Sequence, residues 1–104
     1  MSEIDPNDIE SLKRKLNLDT ARINWQALAE HQQQEAVVEV DPGLDLIVVA
    51  SEFVRDNRDQ VKDWLDAGQV AKVSDDKAQA WQQQDKELWA VVVAPWVLVQ
   101  EPKD

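Results

Sequence analysis

Cysteine is absent from this chain, glycine occurs twice and histidine once in 104 residues. Each scarcity removes a class of chemistry. Without cysteine there is no disulfide framework and no thiolate metal site. Gly43 and Gly68 cannot by themselves supply a glycine-rich phosphate loop or a dinucleotide fingerprint. With His31 as the sole imidazole, a metal site would rest mostly on carboxylates, a donor set suited to magnesium or calcium. The stretch DPGLD (41–45) has too few ligands for an EF-hand loop, and no nucleophile elbow surrounds Ser2, Ser11, Ser51 or Ser74. Neither a cofactor nor a metal is expected, and folding should need neither.

Basic residues are also scarce: 11 Lys and Arg stand against 21 Asp and Glu, a net charge of -10. The one basic cluster, Lys13-Arg14-Lys15, points three ways around a helix and makes no phosphate-tracking stripe. Nucleic acid is therefore not an expected partner. The longest apolar run, LWAVVVAPWVLV (88–99), falls short of the roughly 20 residues that span a bilayer as a helix. The acidic start MSEIDPNDIE has no apolar h-region, so no signal peptide and a cytoplasmic location are expected. What remains is 43% hydrophobic with five Trp, enough for one domain over 1–104, its ends 1–5 and 101–104 frayed.

The apolar run is rich in β-branched and aromatic residues, which favour strands. It predicts a strand over 88–94 buried on both faces, with Val92 and Trp89 in the core. A bend at Ala94-Pro95 leads to a second extended piece, 96–100, expected at a sheet edge. Helices cover this strand. Asp5-Pro6 reads as a cap with proline at the first helical position, and Ile9, Leu12 and Leu16 recur at helical spacing. Asn24 is a cap candidate before WQALAEHQQQ, and Asp41-Pro42 repeats the Asp-Pro device before LIVVASEFV. Leu46, Ala50 and Phe53 form one stripe of that helix. A further helix runs from Asn57 to a stop at Gly68, with Val61, Trp64 and Leu65 on its apolar face. Ser74 caps a polar helix carrying Ala78 and Trp81, and AVVEV (36–40) and VAKV (70–73) are short strands. The expected fold is α+β, about five helices on a small, mainly antiparallel sheet of three or four strands. HQQQEAVVEVDP and WQQQDKELWAVVVAP echo one another, but differ by three residues in length and rest on glutamine, a common solvent-facing helix former.

LNLDTARINW (16–25), VDPGLDLIVVA (40–50), VKDWLDAGQVAKVSDDKAQAW (61–81) and ELWAVVVAPWVLVQ (87–100) together resemble the domain of unknown function 2288 family. These are short cytoplasmic proteins of proteobacteria and cyanobacteria. The resemblance spans nearly the whole chain after about residue 11 and implies a stand-alone domain; it implies no activity and no catalytic residue. HQQQ (31–34) departs from the pattern, which weakens any role for His31.

With no catalytic constellation, the expected role is a protein-interaction module acting through an apolar, Trp-bearing surface. Trp25, Trp64 and Trp89 belong to the core on this reading. Trp81 (on a polar helix) and Trp96, Val97 and Leu98 (beyond the bend) form the candidate surface, covered by a protein partner or a second copy. The alternative is a small-molecule binder or carboxylate-based enzyme using Asp19, Asp41 and Asp45; a minor one is an acidic DNA mimic.

Overall fold

The computed structural model describes residues 8–102. Helix α1 (Ile9–Asp19) starts at Asp8, whose carboxylate accepts from the Ser11 N–H (3.3 Å) and hydroxyl (2.9 Å). Those bonds, the hydroxyl's foremost, hold the Asp8 carboxyl below its ordinary pKa. The Asp5-Pro6 cap expected from the sequence lies outside the described residues. Leu12 and Leu16, one turn apart, fall on the buried face. Strand β1 (Ala21–Asn24) follows, then a 3-10 turn over Trp25–Leu28 and the short helix α2 (Ala29–Gln33). Strand β2 (Val37–Val40) leads to helices α3 (Leu46–Val54) and α4 (Arg58–Asp66), strand β3 (Val70–Lys72) and helix α5 (Asp75–Gln84). Strands β4 (Glu87–Val93) and β5 (Trp96–Gln100) close the chain, joined by a tight turn at a cis Ala94-Pro95 peptide.

The caps explain where these helices begin. Asn57 accepts from the Gln60 N–H and Ser74 from the Lys77 N–H, as their types predict. Helix α3 starts later than expected. Asp41 turns its carboxylate onto the Gly43 N–H (2.8 Å), forming a local turn, and Asp45 caps the helix by accepting from Ile47 and Val48. Asn24 does not cap its helix; its amide donates to Asp85 instead. The helix ends use left-handed residues, Gly68 after α4 and, with glycine so scarce, Glu35, Asp56 and Asp85 after α2, α3 and α5.

The sheet has five strands, one or two more than expected, in the order β1-β4-β5-β2-β3. Three pairings are antiparallel and one, β2 with β5, is parallel. The addition is β1, the edge strand that the sequence reading missed. β5 is the second correction: it sits at the centre of the sheet, between β4 and β2, and has no free edge.

Register divides the side chains between two covered faces. Val38, Val40, Val70, Val91, Val93 and Leu98 pack beneath α1 and α3, with Trp64 of α4 beside them. On the other face Val37, Leu88, Ala90, Val97 and Val99 pack against Trp25, Leu28, Ala78 and Trp81. The Trp25 and Trp81 rings meet edge-on, 5.2 Å apart at 63°. The layers are therefore helix, sheet, helix. The helices of the second face reach Leu88 and Ala90 of β4 but not Val92, which is 64% exposed rather than core. Among the described residues no helix is long and apolar enough to cross a membrane.

Candidate functional site

A central β5 changes the candidate surface. Val97 faces the α5 side and Leu98 the α1/α3 side, and both are buried. Trp81, only 3% exposed, turns inward from an otherwise polar helix and donates its indole N–H to Glu101 at 3.2 Å. That bond also ties down Glu101, a residue expected in a frayed end. Of the four residues singled out from sequence, Trp96 alone is only partly buried, packed against the margin of the α1/α3-side core at the turn where β5 begins. Two expected core residues move the other way. Leu65 is 51% exposed, since α4 directs Trp64 inward and Leu65 lies about 100° further round the helix. Trp89 is 37% exposed beside β1, its ring 5.4 Å from the Arg22 guanidinium.

These displaced residues line three surface recesses. One, of about 470 Å³, lies between the α3–α4 corner and the β4–β5 turn. Its apolar wall is Phe53, Val61, Leu65, Pro95 and Trp96, and its polar lining is Glu52, Asp56, Asn57, Arg58 and Lys62. Lys72 of β3 stands over the Trp96 ring at 5.5 Å. A neighbouring recess of about 450 Å³ includes Val54, Val92 and Ala94, so apolar surface continues around the turn. The third, about 550 Å³, is bounded by Asn17, Thr20, Asp45, Trp89, Gln100 and Glu101.

The carboxylates singled out for chemistry do not converge. Asp19 pairs with Lys15 (2.6 Å), Asp41 holds its turn and Asp45 caps α3. Each is occupied by local structure. His31 is exposed on α2, and among the described residues no group of three or more His, Cys, Asp or Glu could hold a metal ion. In the third recess Gln100 spends its amide on the Asp41 and Leu44 carbonyls, which pin the loop before α3. Among the described residues the candidate carboxylates are held apart in local structure, and the recesses present shaped apolar surface.

The sequence profile of the family described as "Protein of unknown function (DUF2288)" matches residues 11–101. The chain belongs to the DUF2288 family. It is also similar to PA1075 from Pseudomonas aeruginosa, a protein whose solution structure was determined by NMR. Identity is 38% and the TM-score 0.78, over 99% of this chain and 95% of that one. No curated protein matches. The DUF2288 match covers nearly the whole chain, and the family's description names no function. The sequence signal that could have found the recess was the pairing of Val61 and Leu65, one turn apart on α4 next to Arg58 and Lys62.

Proposed function

We propose that this DUF2288 chain is a protein-interaction module whose contact site is the recess beside Trp96. The observation that carries it is the apolar wall of Val61, Leu65, Pro95 and Trp96, lining a surface recess between the α3–α4 corner and the β4–β5 turn, with Leu65 and Pro95 exposed. A half-buried Trp beside aliphatic side chains offers large contact area at small entropic loss. The volume, about 470 Å³, is of the size that accepts one bulky side chain and its neighbours. A cytoplasmic setting is part of the same proposal. Pairing of two β5 strands about a two-fold axis is replaced by this site, because β5 already has β4 and β2 as neighbours.

A photo-crosslinking side chain placed at Leu65, and in a control at the exposed Gln79 of α5, tests the reading in cells of the native host. The Leu65 probe should capture a defined partner that the Gln79 probe does not, and Trp96→Ala should abolish the capture. Equal capture at both positions, or capture indifferent to Trp96, would defeat it.

A further inference from the structure

The charges around the Trp96 recess are not those of the chain as a whole. At about 100° per residue, Arg58, Val61, Lys62 and Leu65 share one sector of α4, while Asp59, Asp63 and Asp66 fall in the next and do not line the recess. The helix thus turns its cations toward the apolar wall and its acids away. The two carboxylates that do line the recess are already engaged. Glu52 accepts from Arg55 (2.9 Å) and Asn57 (2.8 Å), and Asp56 pairs with Arg58 (3.3 Å). Among the described residues Lys62 and Lys72 have no salt-bridge partner.

Resting on the interaction-module reading, we propose that the occupant is an acidic protein segment: a bulky apolar anchor side chain flanked by carboxylates. The anchor enters beside Trp96 and Leu65, and the carboxylates reach the ammonium groups of Lys62, in the lining, and Lys72, which stands over the Trp96 ring. The net charge of -10 does not forbid this. At physiological ionic strength the Debye length is about 8 Å, so an approaching segment is governed by the rim charges it meets rather than by acids across the molecule. A basic segment would meet unpaired cations at the rim and no unpaired carboxylate in the lining.

The test uses the isotope-labelled full chain with three synthetic peptides sharing one Leu-Phe anchor, flanked by Glu and Asp, by Ser, or by Lys. A short oligothymidylate is the fourth probe. The acidic peptide should shift the Trp96 indole and the Val61 and Leu65 methyl resonances, bind most tightly of the three peptides, and weaken with added salt. Lys62→Glu with Lys72→Glu should weaken it by about tenfold and leave the Ser-flanked peptide unchanged, since exposed ion pairs contribute modestly and only to the charged ligand. Both lysines are exposed, so the fold should survive, which the melting curve checks. Tighter binding of the Lys-flanked peptide, or no effect of the double reversal, overturns the acidic occupant while leaving the recess as a contact site. Shifts caused by the oligothymidylate alone replace it with a phosphodiester ligand. If no peptide moves the Trp96 and Leu65 resonances, the contact site itself falls.

Discussion

Val91 and Val92 are adjacent in the same strand and differ in exposure from 1% to 64%, so one substitution made at each position measures what the second sheet face covers. Val→Ala removes two methyl groups. At about 0.8 kcal/mol per buried carbon the transfer loss at Val91 is about 1.6 kcal/mol, and an unfilled cavity under α1 and α3 raises it to about 2–3 kcal/mol. At Val92 only about a third of the residue is removed from water, and no packed wall faces it, so the loss should stay near 0.5 kcal/mol. Urea unfolding followed by far-ultraviolet circular dichroism reads both. For a domain of this size a loss of 1 kcal/mol lowers Tm by about 4–8 °C, so the two variants should separate clearly in a thermal scan as well. Equal costs at the two positions would show that something covers Val92, and that the helices of the second face extend further along β4 than described.

Four further outcomes follow from particular contacts. Trp81→Ala should cost about 3–5 kcal/mol, because it removes a buried ring, the edge contact with Trp25 and the bond to Glu101; the same urea assay checks it. Ser74→Ala should cost about 1 kcal/mol through loss of the α5 cap. Glu35→Gly should stabilise the protein by about 0.5–1 kcal/mol, since a left-handed φ of 57° strains a residue with a Cβ by more than glycine loses in the unfolded chain. The depressed folded-state pKa of Asp8 means its contribution is present above the unfolded-state value and lost as pH falls through the folded one. Hydrogen exchange in acid should therefore show the first turn of α1 opening before the sheet, and Asp8→Asn should remove that pH dependence.

Local chemistry was legible in part, since Asn24 and Asp41 took partners other than the helices they were expected to cap, and long-range pairing was not. The Asn57 and Ser74 caps and the Gly68 stop each depend on a few neighbouring residues, and each is where its type predicts. β1 is different. ARIN has three exposed residues of four and becomes a strand only by lying beside Arg22's and Ile23's partners on β4, Trp89 and Leu88. The central place of β5 depends on its parallel pairing with β2, about sixty residues earlier, for which neither strand carries a mark. The direction of Trp81 was readable in principle. Ala78 and Trp81 stand three apart on an otherwise polar helix, a narrow apolar stripe that must face something. Reading the polarity of its neighbours instead of that stripe put it on the surface.

The position of β5 also determines where the contact site can be. A central strand under helices on both faces has no backbone left to pair, and β5 buries all its side chains except those at its two ends, Trp96 and Gln100. The free apolar surface must then lie where the layers stop, at strand ends and helix corners. Trp96 is the first residue of β5 and Leu65 lies near the end of α4, and both border the turn at Pro95. An apolar side chain left open at such an end need not expose an unpaired ladder, which is the hazard that an apolar edge strand creates. The actual edges are short and polar, β1 with Arg22 paired to Glu87 and β3 ending in Lys72, and neither invites a second sheet. Recognition at the Trp96 recess should accordingly depend on side chains rather than on added strands. A partner bound there would leave the amide exchange of the far edge strand β1 unchanged while slowing the indole of Trp96, and protection appearing along β1 on binding would refute the placement.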